Sequence, residues 1–182
     1  MTLRPLAACL SLAFAALSPV AAHAQDATPV ATAYTQEQAR QDIGKVIEAF
    51  RTAILDKDKP KFLALFPASG PVAWQSVIGD DNLRHMRLKR PETGKANPNP
   101  KYSHLSFIDN IVSEPERSEE TFDNIRIDTD GEIASVAFDY RFLSNGRETN
   151  RGLESWSLVR TDAGWKIVSV VWSMRWPIPP AG

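Results

Sequence analysis

Apolar residues along this chain keep a helical spacing in the first half and an alternating one in the second. From Thr35 the pattern predicts a helix, because Ile43, Val46, Ile47, Phe50 and Ile54 recur at i, +3, +4, +7 and +11. Thr35 with Gln38 three residues on forms a capping box at its start. Asp56-Lys57-Asp58 ends it and caps a second, short helix with Pro60 in the first turn, where a missing N–H costs little. Phe62, Leu63, Leu65 and Phe66 form the apolar side of that helix. Residues 72–78 read as a short strand, and residues 103–113 as a short helix carrying Leu105, Ile108, Ile111 and Val112.

After Phe122 the period drops to two. Strands are expected over 122–128, 133–143, 147–160 and from 164 to about Trp176, separated by Asp130-Gly131, Asn145-Gly146 and Asp162-Ala163-Gly164. Asn-Gly between alternating runs is the strongest short hairpin signal. Helices followed by such a meander give an α+β domain, with N-terminal helices packed on a strongly curved antiparallel sheet.

Turn chemistry also proposes a register. A two-residue loop at Asn145-Gly146 sets Ser144 against Arg147 and Phe138 against Leu153. A three-residue loop at residues 162–164 sets Thr161 against Trp165 and Ser155 against Val171. One face then carries Val136, Phe138, Tyr140 and Phe142 with Arg151, Leu153, Ser155, Ile167, Ser169 and Ser173, a mixture suited to a pocket wall. The other face gathers Glu154, Trp156, Leu158, Val170, Trp172, Met174 and Trp176. That set is either core under the helices or an exposed apolar patch, and an exposed patch of that size meets a partner. The expectation is a homodimer through Trp156, Trp172 and Trp176. The expected pocket takes its polar groups from Tyr140, Arg151, Ser155, Ser169 and Ser173, and its apolar lining from Phe50, Phe66, Trp74 and Phe107.

The ends change the picture of where the protein works. Arg4, an apolar run from Leu6 to Leu17 and Ala22-His23-Ala24 have the form of a secretory signal, with cleavage expected after Ala24. Residues 25–35 read as a flexible lead-in, 36–178 as a single domain and 179–182 as a tail. Cleavage would remove Cys9, the only cysteine, so neither a disulfide nor a thiol nucleophile is expected in the exported product. The expected location is the periplasm or outside the cell. A formal net charge of −1 gives no footprint for nucleic acid, and no membrane attachment is expected once the signal is gone.

FRTAILDKDKPKFLALF (50–66) and GWKIVSVVWS (164–173), in this order of elements, resemble the nuclear transport factor 2-like superfamily, which includes the SnoaL-like proteins and ketosteroid isomerase. The resemblance covers roughly residues 36–176. It implies a cone with a pocket between sheet and helices, a cystatin-like arrangement. It also implies that the isomerase oxyanion-hole tyrosine falls at Phe50 and the general-base aspartate at Trp74. Neither residue can move a proton or steady an enolate, so isomerase chemistry is not expected. Histidines that many relatives carry in the closing strand correspond here to Ser169 and Val171.

Other constellations weigh less. His85 and His104 have no spacing that requires a metal, and nothing in the chain calls for a cofactor. Asp128-Thr129-Asp130-Gly131-Glu132 lacks the later ligands of a calcium loop and reads as a turn. Six cations between Arg84 and Lys101 face only Glu92; they form a solvated loop or a lid favouring an acidic ligand. The sequence thus suggests an exported domain that binds a small, partly apolar or acidic molecule. Its rivals are a structural dimerisation module, or a small enzyme using Asp139 with Glu154 or His104 with Asp109.

Overall fold

The computed structural model describes residues 34–96, 99 and 101–178; the signal, most of the lead-in and the tail lie outside the described residues. Helix α1 (Gln36–Leu55) opens with the expected capping box, Gln38 N–H donating to Thr35 Oγ1 and Thr35 N–H to Gln38 Oε1. Lys57 at φ 55° turns the chain, and Asp58 accepts from Lys61 N–H to start α2 (Lys59–Leu63). Strand β1 (Ala73–Ile78) follows.

The next segment is more ordered than its composition suggests. Asp80–Arg87 forms helix α3, with Asp80 and Asp81 in its first turn and Arg84, His85 and Arg87 in its last. Charges so placed complement the helix dipole, which is what a bare count of cations overlooks. Helix α4 (His104–Ser113) has a reciprocal cap between Ser103 and Ser106.

Strands β2 (Ser118–Thr129), β3 (Ile133–Ser144), β4 (Arg147–Thr161) and β5 (Gly164–Met174) pair antiparallel in sequence order, and β1 joins β5 in parallel, giving the order β1-β5-β4-β3-β2. Three bulges break the ladders. Asn124 and Ile125 together oppose the single residue Phe138 on β3, Asn124 standing at φ 54°; Thr149 is extra on β4, and Val168 on β5. Each bulge adds local twist, which curls the sheet around the helices.

The concave face carries Val136, Phe138 and Tyr140 from β3, Trp156 and Leu158 from β4, and Ile167 and Val170 from β5, all buried. Helix α1 lays Ile43, Ile47, Phe50 and Ile54 onto it. Phe50 is the hub, with ring centroids 4.8 Å from Trp156 and 5.0 Å from Phe62.

Two of the bulges correct the expected register. Ser144 does oppose Arg147, but Thr149 shifts β4 by one place, so Phe138 opposes Glu154 rather than Leu153. At the last hairpin Thr161 opposes Gly164 and Arg160 opposes Trp165; the loop has two residues, not three. Ser155 still opposes Val171, because the Val168 bulge offsets the shorter loop. A one-residue slip moves side chains to the other face.

Candidate functional site

The helices fill one end of the cone and leave a cavity of about 220 Å³ at the other. Its walls are apolar: Phe50 from α1, Trp74 from β1, Phe107 from α4, Phe142 from β3, and Val170, Trp172 and Met174 from β5. Trp74 stands edge-on to Trp172 at 5.3 Å and packs on Phe107 at 5.2 Å, so the aromatic wall is continuous. Four polar side chains complete the lining: Glu120 on β2, Tyr140 on β3, and Asn150 and Glu154 on β4.

Strand periodicity puts these four together. Glu120 pairs with Phe142, Phe142 with Asn150, and Tyr140 with Gly152, two places before Glu154. All therefore face inward on three adjacent strands. Both carboxyl groups are buried, each residue 4% exposed. Trp156 Nε1–H donates to Glu154 Oε1 at 2.5 Å. Among the described residues no group donates a hydrogen bond to Glu120. The Tyr140 hydroxyl reaches Asn150 Oδ1 at 2.9 Å and the Ser173 carbonyl at 3.2 Å.

Burial sets the protonation of this cluster. It pushes the Glu154 carboxyl up to about 7, against a smaller opposing effect of the Trp156 hydrogen bond. Burial, and then the neighbouring Glu154, hold the Glu120 carboxyl well above the ordinary carboxylate range. The two carboxyls are coupled and titrate as a pair, and burial favours their protonated, neutral forms. Burial, followed by Glu154 and Glu120, also raises the Tyr140 phenol, which stays a neutral hydroxyl.

No protein-family model matches the sequence, and neither does any curated protein. Solved structures do match. A protein of unknown function from Shewanella baltica superposes with TM-score 0.52 at 18% identity, covering 79% of this chain and 98% of its own; it is described as nuclear transport factor 2-like. A candidate dehydratase of the same family from Streptomyces avermitilis gives 0.56 at 17%, over 79% and 100%. A nuclear transport factor 2-like protein from Pseudomonas putida gives 0.56 at 11%, over 80% and 99%. The fold is the nuclear transport factor 2-like cone.

Within this nuclear transport factor 2-like cone, the expected site residues divide. Phe50, Trp74, Phe107 and Tyr140 line the cavity, and the two positions matched to isomerase catalytic groups, Phe50 and Trp74, contribute only hydrocarbon and an indole. Phe66 does not reach it; it is core, 5.1 Å from Phe62 and 4.5 Å from the His104 ring. Arg151, Ser155, Ser169 and Ser173 lie on the convex side, because the Thr149 and Val168 bulges exchange the faces. Arg151 is exposed beside Glu148 at 3.2 Å. Ser173 Oγ instead accepts from Leu153 N–H at 3.0 Å.

The tryptophan patch is not formed. Trp156 is 1% exposed in the core, Trp172 walls the cavity, and Trp176 exchanges hydrogen bonds with Asn82. Neither proposed catalytic pair assembles. Asp139 accepts from Asn124 on the convex side while Glu154 points inward, and Asp109 pairs with Lys59 while His104 packs on Phe66. Among the described residues no His, Cys, Asp and Glu group is placed to hold a metal. The described part of the basic segment contributes nothing to the lining; Arg84 and Lys95 pair with Asp81 and Asp80 instead.

Glu120, Asn150 and Glu154 were missed as lining residues. The expected strand began at Phe122, two residues too late to include Glu120. For Glu154 a signal was present: an acid occupying one place in the apolar alternation Glu154, Trp156, Leu158.

Proposed function

We propose that this is an exported domain that binds a small, mostly apolar molecule in the cone cavity. The observation that carries the reading is the cavity itself: a continuous aromatic wall with a few convergent polar groups, the usual make-up of a small-molecule site. Protein recovered from the periplasm of a bacterial host is expected to begin at Gln25. Titrating that protein with millimolar benzyl alcohol should shift the indole N–H resonances of Trp74 and Trp172 and leave that of Trp165, bonded to the Tyr34 hydroxyl, in place. Unmoved Trp74 and Trp172 signals would count against binding, and retention of residues 1–24 would count against export.

A second reading, an acid–base enzyme, is favoured by the buried carboxyl pair. One carboxylate can take a proton while its protonated neighbour gives one, the apparatus an elimination or a hydrogen exchange needs. The dehydratase description of the Streptomyces neighbour is compatible with that chemistry. If the pair is catalytic, 1-indanone incubated with the protein in heavy water gains deuterium at its α-carbon, and Glu154→Gln slows the gain at least a hundredfold. No gain above the buffer rate sinks this second reading.

A further inference from the structure

We propose that the cavity selects a small protonated amine, held by Glu120, Glu154 and Tyr140 within the aromatic wall. The assignment rests on the cavity being a binding site and adds the charge of its ligand.

The first argument is an inventory of donors and acceptors. The Tyr140 O–H is committed to Asn150 Oδ1 and the Ser173 carbonyl, so its oxygen keeps an accepting position toward the cavity. The Trp156 indole N–H is committed to Glu154 Oε1, leaving Oε2 without a donor among the described residues. Asn150 Nδ2 donates to Thr149 Oγ1. Glu120, buried and lining the cavity, has both oxygens without a donor among the described residues. The corner formed by Glu120, Glu154 and Tyr140 therefore offers acceptors once the carboxyls give up their protons, while the second Asn150 Nδ2–H and the indole N–H groups of Trp74 and Trp172 have no acceptor among the described residues. A primary ammonium carries three N–H donors and no acceptor, the complement of Glu120, Glu154 Oε2 and Tyr140 Oη.

The second argument is charge. A buried carboxylate is stable only with a partner of opposite sign. Among the described residues the lining contains no Lys, Arg or His. Arg175, the cation acting on Tyr140, is itself exposed, and His104 lies behind Trp74 with ring centroids 6.4 Å apart. On the elements packed around the pair, α1 contributes Phe50, α4 Phe107 and β1 Trp74, none of them charged. An acidic ligand would meet two carboxyls and no cation. An ammonium would supply the missing charge, and the faces of Trp74 and Trp172 would attract it as well.

Size narrows the class. A dry cavity of about 150 Å³ takes benzene, so this one admits a ring with a short aminoalkyl arm.

Calorimetry at pH 7 with benzylamine, benzyl alcohol and benzoate tests the proposal. Benzylamine should bind at least tenfold more tightly than benzyl alcohol, and benzoate should give no heat. The benzylamine enthalpy should also vary with the ionisation enthalpy of the buffer, because the cation displaces a proton held by the pair; the alcohol enthalpy should not. Glu120→Gln should bring amine and alcohol within threefold of each other while alcohol binding persists. Equal or weaker binding of the amine by the unaltered protein overturns the cation assignment and leaves the cavity reading standing. An undiminished amine preference in Glu120→Gln overturns the role of Glu120. Failure of all three probes to bind overturns both readings. If the variant does not fold, the three-ligand series on the unaltered protein decides.

Discussion

Between pH 6.5 and 8 the unliganded protein is expected to lose stability rather than hold it. Glu154 and Glu120 have folded-state pKa values raised above the unfolded value, so their contribution is fully present below about 4.5 and is lost as pH rises through the folded values. Carrying Glu154 from its ordinary 4.5 to about 7 corresponds to about 3 kcal/mol lost by pH 8, of which about 1 kcal/mol falls between pH 6.5 and 8 and the rest below it. His104 acts in the opposite sense. Burial lowers its imidazole below 6.5, so its contribution grows as pH rises toward 6.5 and is constant beyond it. The carboxylates lowered by exposed partners, Asp42, Glu48 and Asp80, act only below about 4.5. The window above 6.5 therefore belongs to the buried pair. Urea midpoints measured at pH 6.5 and 8 should fall for the unaltered protein and stay level for Glu120→Gln/Glu154→Gln, whose glutamine at 154 can still accept from Trp156. A level response in the unaltered protein would mean that the pair is not buried as described.

The same pair marks where the sequence stops being legible. Elements built from local rules were readable: the Thr35–Gln38 box, the Asp58 cap with Pro60 and the Ser103 start of α4 depend on residues three or four apart. The cone is also readable, since helices followed by four hairpin-joined strands leave few ways to bury both sets of apolar faces. The site was readable only in part, because it depends on which residue bulges. Nothing near Thr149 says that it will be the extra residue; its hydroxyl reaches back to the Phe142 carbonyl at 3.1 Å, a contact that exists only once β3 and β4 are paired. Glu154, Trp156, Leu158, Val170, Trp172 and Met174 do form one face, as their alternation implies. The error lay in setting that face opposite to Phe138 and Tyr140, which turned the inside of the cone into a supposed dimer surface. Parallel pairing of β1 with β5 was equally beyond local rules, because the two strands are about ninety residues apart.

Gly152→Ala is expected to be among the most damaging small substitutions in the chain. Gly152 lies on the concave face of β4 between Asn150 and Glu154, and an added Cβ would fall on the Ser173 carbonyl oxygen and 2.7 Å from Ser173 Oγ. That carbonyl occupies the place of the missing side chain and from there accepts the Tyr140 hydroxyl. Making room means withdrawing β5 from β4, and the withdrawal breaks the Leu153 N–H bond to Ser173 Oγ and strains the paired bonds between Arg151 and Arg175 at 2.8 and 2.9 Å. Overpacking of this kind costs about 1–3 kcal/mol, and each hydrogen bond lost adds about 1 kcal/mol. A total near 4 kcal/mol lowers Tm by about 10 °C for a domain of this size. Gly44, inside α1 with no atom within 4 Å of an added Cβ, supplies the contrast. There the same change should stabilise by about 0.5–1 kcal/mol, because alanine favours the helix. Opposite signs at the two glycines, read from paired thermal melts, would place the cost on the Ser173 carbonyl rather than on the alanine. A neutral Gly152→Ala would mean that β5 does not lean into the cone at Ser173, and the Tyr140 hydroxyl would then keep only its bond to Asn150 Oδ1.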